Sequence, residues 1–271
     1  MFVQTICSNL LMTINKEFEE IATTITNVIK NYSLNSQNQV DEKFKLQLAT
    51  SIFLLTHIYV LLSSIANHPN QDQISNETFE SQIIIWQSCN TMLAALQLVR
   101  QGYPLEPQFL ARSAIESLAL ALSFHLDDGA FAKYNKGKLL GNECIGSAKK
   151  VVKEIGQIYG LLSEVTHPSR KTTGNNYNPH SSSIIIGGGY TEKLSHRTLF
   201  NFSLLNYLLL TIWKGSEFIF YEFEEKPKFW TRKEDRYSLK LHDSIKKMSE
   251  DIKKDFETAI ASIGSEDIES V

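Results

Sequence analysis

The sequence predicts an all-α protein, a single bundle of about seven to nine helices. Three observations carry this. Apolar residues recur at spacings of three and four over most of the chain, the period of one helix face. Only 13 Gly and 6 Pro occur in 271 residues, too few for a chain built on tight β-turns. The one short β-branched run, Ile184-Ile185-Ile186, leads into Gly187-Gly188-Gly189, so at most a short β element is expected near 183–190.

Each element has its own signal. Ile14, Phe18, Ile21, Ile25 and Ile29 place an amphipathic helix over 6–31, and the polar run 32–42 reads as a loop. A second helix covers about 42–67 and stops near His68-Pro69. Asn76 as cap, with Glu77 in the first turn, opens a third over about 77–101, ended by Gly102. Pro104 and Pro107 introduce a fourth, 106–125, because first-turn amides have no intrahelical partner to lose. Asp127-Asp128-Gly129 breaks the chain, and Gly137, Gly141 and Gly146 divide 130–166 into two or more short helices, the last at 147–166. Its Gly156-x-x-x-Gly160 leaves room for close approach of another helix. A polar loop spans 168–181, a long apolar helix about 191–224, and a charged amphipathic helix 233–262. The last carries Leu239, Ile245, Met248, Ile252 and Phe256 on its apolar side. With no repeat and no linker, one domain is expected over 1–271, centred on the second, third, fourth and 191–224 helices.

The 27 basic and 30 acidic residues give a net charge of −3, which excludes a generally basic nucleic-acid binder while leaving room for a local patch. Cys7, Cys89 and Cys144 are odd in number and widely spaced, so reduced thiols in a cytoplasmic protein are expected rather than a disulfide framework. The N-terminus shows no signal-peptide pattern. Residues 48–65 are nearly long enough to cross a bilayer. They carry Thr50, Ser51, Thr56, His57, Ser63 and Ser64, so a buried core helix is the reading, with no membrane partner.

Phosphate-loop, dinucleotide-binding, serine-hydrolase and zinc-protease signatures are all missing, and no cofactor is expected. Among the histidines only Glu164-x-x-His167 has metal-ligand spacing, so no metal site is expected. Gly187–Gly189 reads as a flexible turn.

Two polar rows are more informative. Gln108, Arg112 and Glu116 lie four apart on a helix whose other positions are apolar. An embedded charge must be paired, so Arg112 and Glu116 form either a buried ion pair that fixes register or part of a binding site. Tyr159, Ser163 and His167 form a second row, with His167 at a helix C-terminus that favours the imidazolium. Neighbours on one row seldom have triad geometry, so mutual hydrogen bonding is the alternative to nucleophilic chemistry.

The pair Arg112-x-x-x-Glu116 and Tyr159-x-x-x-Ser163-x-x-x-His167-Pro168 resembles a bacterial helical family of unknown function, related loosely to the HEPN-like proteins of defence and toxin systems. The likeness covers about residues 80–220. It implies a helical fold in which the two motifs meet in one polar cluster, and it supplies no reaction. HEPN ribonucleases carry Arg-x(4–6)-His, and Arg236 and His242 fit that spacing here, with Tyr237 where a polar residue usually follows.

Residues 133–171 hold eight basic and three acidic residues, a local charge of +5, with Lys149, Lys150, Arg170 and Lys171 flanking the histidine motif. Such a patch suits a phosphate-bearing ligand. Glu217, Glu222, Glu224 and Glu225 supply the opposite sign and suggest pairing with a second subunit in a homodimer. The functional expectation is therefore a regulatory or defence-associated binding module. Its pocket of Arg112, Glu116, Tyr159, Ser163 and His167 would take a nucleotide, RNA or a partner protein. The alternatives are a metal-independent ribonuclease using Arg236 and His242, and a structural protein with a packing ion pair.

Overall fold

Helix boundaries follow local chemistry. Ser75, rather than Asn76, caps the third helix of the sequence reading, its hydroxyl accepting the Thr78 amide at 3.2 Å. Gly102, with φ 78°, makes the left-handed turn that ends the same helix. The computed structural model describes residues 19, 23, 35–67, 74–166, 177–178, 183–184, 195–223, 227–233 and 236–269.

Nine α-helices occur among these residues: α1 Asn35–Lys43, α2 Lys45–Ala66, α3 Asn76–Arg100, α4 Glu106–Leu126, α5 Ala130–Asn135, α6 Gly141–Val151, α7 Glu154–Thr166, α8 Ser195–Ile219 and α9 Asp243–Glu269. Two small antiparallel hairpins complete the fold, β1 Tyr177–Asn178 with β2 Ser183–Ile184, and β3 Trp230–Lys233 with β4 Arg236–Leu239. The fold is all-α, as the apolar period requires.

Three expectations are corrected. The 32–42 segment is helical from Asn35, because Val40 and the following Phe44 are buried and Asp41 binds Arg100 through two bonds of 2.7 and 2.6 Å. Polar composition hid a helix that tertiary contacts hold. The 233–262 helix begins only at Asp243, since Trp230–Lys233 and Arg236–Leu239 pair as the second hairpin; β structure therefore extends beyond the element expected near 183–190. Leu239, assigned to the apolar stripe, is half exposed, whereas Ile245, Met248, Ile252 and Phe256 are buried. The third correction concerns glycine. A Cβ on Gly160 would meet nothing within 4 Å, and one on Gly156 only the Lys149 stem. The close approach is at Gly215, where a Cβ would lie 2.8 Å from Leu118 Cδ1, so α8 and α4 pack nearly backbone to side chain. Of the helix expected over 6–31, only Glu19 and Thr23 fall among the described residues.

The core runs along α4 and α8. Helices α3 and α4 pack as an antiparallel pair, with Ser88 Oγ donating to the Ala114 carbonyl at 3.2 Å and Ser81 Oγ bonded to His125 Nε2 at 3.0 Å. Helix α8 is buried from Phe200 to Glu217 and contacts α2, α3, α4, α7 and α9. Several of its buried polar residues find partners, although Ser216 Oγ has none among the described residues. Asn201 accepts from Gln108 at 3.0 Å and donates to the Pro104 carbonyl at 3.1 Å. Ser51 donates to Asn206 at 2.6 Å, and Lys214 donates to Glu154 at 2.8 Å. Burying such groups unpaired would cost about 1–3 kcal/mol each. Helices α2 and α4 are long and apolar enough to cross a membrane; here their apolar faces pack against α8.

Candidate binding site

The two polar rows meet. Helix α4 carries Gln108, Arg112 and Glu116 from the interior outwards, Gln108 being buried against Asn201. Arg112 Nε donates to Glu116 at 3.0 Å, and its Nη2 donates to the Tyr159 hydroxyl of α7 at 3.3 Å. The guanidinium also lies over the Tyr159 ring, 5.3 Å from the centroid. Glu116 and Tyr159 hold the Arg112 pKa above its ordinary value, so the cation is permanent.

The ion pair is not sealed. The Arg112 and Glu116 side chains are 23% and 43% exposed, which replaces the buried register device with a solvent-facing pair. An exposed pair four apart on a helix contributes only about 0.3–0.5 kcal/mol, so Glu116 can yield to a better acceptor at small cost.

Ser163 is the unsatisfied member. Its hydroxyl is shielded from solvent and has no hydrogen-bond partner. It sits one turn beyond Tyr159, and Gly156, Tyr159 and Ser163, spaced three and four apart, share one face of α7. The stem of Lys149 lies against Gly156, with Cδ 3.5 Å from where a Cβ would stand. Lys150, the next residue on α6, is exposed and rotated about 100° away.

His167, Arg170 and Lys171 lie outside the described residues, as do Gly187–Gly189, Glu224 and Glu225. Lys133 is spent on Glu143 at 3.4 Å. Among the acidic residues assigned to a subunit contact, Glu217 is fully buried and so does not face a second subunit, while Glu222 is exposed and paired with Arg232. Glu217 was invisible as a structural group from sequence, because its three partners are backbone amides of residues 228–230.

Arg236 and His242 are both exposed and are not brought together. Arg236 is in β4, and the ladder continues through the Lys240 and His242 amides, which donate to the Phe229 and Lys228 carbonyls. Six residues of extended chain at about 3.3 Å each separate their backbones by roughly 20 Å. A cleft of about 450 Å³ at the α4–α5 turn, lined by Asp127, Asp128, Lys133 and Glu143 among others, lies some 20 Å along α4 from Arg112. Among the described residues no group of three or more His, Cys, Asp or Glu can hold a metal ion.

No family model, curated protein or solved structure matches this chain. The site therefore speaks through its own geometry.

Proposed function

We propose that the chain is a regulatory or defence-associated binding module that holds a nucleotide-type, phosphate-bearing ligand on the Arg112–Tyr159–Ser163 row. One observation carries this reading: the Ser163 hydroxyl is buried and unbonded one helical turn from Tyr159, whose ring and hydroxyl hold the permanently charged Arg112. An unsatisfied buried hydroxyl costs about 1–3 kcal/mol, a penalty that a ligand oxygen would remove. A phosphate oxygen taking the place of Glu116 gains charge-assisted bonds, each worth more than the exposed pair it displaces. Lys149, lodged over Gly156 beside the same row, adds a second positive charge. The buried free thiols Cys89 and Cys144 suit a reducing, cytoplasmic setting. The regulatory or defence context rests on the motif resemblance alone.

The test is calorimetric titration of the full chain with purine and pyrimidine nucleoside mono- and triphosphates, inorganic phosphate and a short single-stranded RNA. Binding of a nucleotide that Arg112→Ala and Ser163→Ala each weaken at least tenfold, with unfolding midpoints unchanged, supports the reading. Binding of RNA alone would replace the ligand class. If no phosphate-bearing probe binds and Arg112→Ala only lowers the unfolding midpoint, the row is a packing device and the proposal fails.

A further inference from the structure

The β3–β4 hairpin has two unlike faces. Its register pairs Trp230 with Leu239 and Arg232 with Tyr237 on one face, and Thr231 with Ser238 and Lys233 with Arg236 on the other. The aromatic residues of the first face are already engaged. Phe218 of α8 packs against Trp230 and Tyr237, with ring centroids 5.3 and 4.9 Å apart, and Tyr221 meets Tyr237 edge-on at 5.3 Å. The cation on that face, Arg232, lies over the Tyr237 ring and is paired with Glu222.

The second face carries cations without such counter-charges. Lys233, Arg236 and Ser238 are exposed, and Thr231 is half-buried with its Oγ1 2.8 Å from Ser238 Oγ. Lys233 and Arg236 stand directly across the ladder from each other, and neither has an ion pair among the described residues. Glu234 and Asp235, between them, lie outside those residues. Like charges opposite one another on adjacent strands destabilise the pair, so this arrangement works against the hairpin on its own. An anion placed between the two cations turns that repulsion into attraction. Lys240, one residue past β4 and exposed, adds a third cation. Residues 226–247 hold eight basic and three acidic residues, a local charge of +5 in a chain of −3.

We propose that this face binds the phosphate backbone of duplex DNA, with Lys233, Arg236 and Lys240 on phosphate oxygens and the Thr231 and Ser238 hydroxyls beside them. Three features select this occupant. Arg236 and Lys240 are four residues apart on extended chain, about 13 Å, so one small anion cannot engage both whereas a polymer of phosphates can. The face has no exposed aromatic or apolar side chain, because Trp230 and Tyr237 point the other way. It therefore offers no stacking platform for a single strand and no apolar wedge for a bilayer. Finally, a two-stranded ribbon fits the wide major groove of B-form DNA, whereas the deep, narrow major groove of A-form RNA does not admit it. Lysine, arginine, serine and threonine are the side chains that contact phosphate, so binding is expected to be independent of sequence. The surface is separate from the Arg112 row and does not rest on the function proposed for it.

Fluorescence anisotropy of a labelled duplex of about 20 base pairs, titrated with the full chain at about 50 mM salt, tests this. The wild type is expected to bind saturably and to weaken as salt rises. Lys233→Gln combined with Arg236→Gln should weaken binding at least tenfold and lower the slope of log K against log salt by about two, since each phosphate contact contributes about 0.9. Its unfolding midpoint should not fall, because the change removes a repulsion. Should that variant fail to fold, Lys240→Gln serves instead, with a slope lower by about one. Lys136→Gln, an exposed lysine of another region, and Arg112→Ala should bind as the wild type does. No duplex binding at about 100 µM protein, an equal loss in Lys136→Gln, or tighter binding of single-stranded DNA, duplex RNA or phosphatidylserine vesicles than of duplex DNA would each overturn the proposal.

Discussion

His57 lies flat against Trp213, the ring centroids 4.4 Å apart and the planes within 7° of parallel. Phe53 closes the imidazole edge-on at 4.5 Å, and Nε2 is shut off from solvent. Burial, with a smaller push from the Lys228 cation, lowers its pKa from 6.5 to about 3. The native state therefore holds this ring neutral where an unfolded chain would protonate it.

The sign of the pH effect follows. Because the folded pKa is below the unfolded one, the unfolded state binds the extra proton between pH 6.5 and about 3. Full stability is present above pH 6.5 and is lost on acidification by up to about 1.4 kcal/mol per pH unit within that window. His125, also lowered chiefly by burial, adds a parallel contribution. Urea midpoints of wild type and His57→Phe, which keeps the aromatic stack, should diverge between pH 6 and pH 4, the wild type falling more steeply. Parallel curves would show that His57 is not the titrating group.

Two glycines invite a contrast that isolates the α4–α8 contact. Gly160 is exposed within α7, and a Cβ there meets nothing. Gly160→Ala should raise stability by about 1 kcal/mol through helix propensity alone. At Gly215 the new methyl would stand 2.8 Å from Leu118 Cδ1, with Leu118 fully buried. Overpacking costs about 1–3 kcal/mol and outweighs the propensity gain. Gly215→Ala should therefore destabilise, and adding Leu118→Val should recover part of the loss by vacating the contact. Equal gains at both glycines would show that α8 can move away from α4 freely.

These cases show which parts of the molecule the sequence makes legible. Helices α2, α3 and α4 were readable to within a few residues, because their breakers, Gly102, Pro107 and the Asp127–Gly129 turn, are local. The Arg112–Tyr159 meeting was also within reach, since each residue belongs to a row with helical period and an embedded cation needs a partner. Helix α1 was not, because its sequence, NSQNQVDEK, has little helical signal and is held by Val40 and the Asp41–Arg100 bond. The β3–β4 hairpin was masked by period. Leu239 falls in line with Ile245 and Met248 as if on one helix, whereas in the hairpin it stands opposite Trp230, and Tyr237 opposite Arg232. Lys149 over Gly156 depends on how α6 meets α7, which no local pattern encodes.

One buried carboxylate of α8 gathers three backbone amides at the start of that hairpin. Glu217, fully buried, accepts the amides of Lys228, Phe229 and Trp230 at 2.8, 2.7 and 3.1 Å, while Trp230 Nε1 donates to the Lys214 carbonyl at 2.8 Å. Burial raises its pKa, and the three amides and Lys228 oppose the rise without cancelling it. With the folded pKa above the unfolded value, acidification favours the folded form through this group, and stability is lost as pH rises through the window above 4.5. Its sign is opposite to that of His57, so acid should not release the hairpin. Removing the oxygens should. Glu217→Ala strands three amides and is expected to cost several kcal/mol, with hydrogen exchange of residues 228–230 rising most and Trp230 emission shifting to the red. Glu217→Gln keeps an acceptor oxygen and should cost less while abolishing the pH slope. If exchange at residues 228–230 in Glu217→Ala rises no more than elsewhere in the chain, the carboxylate is not what holds the hairpin.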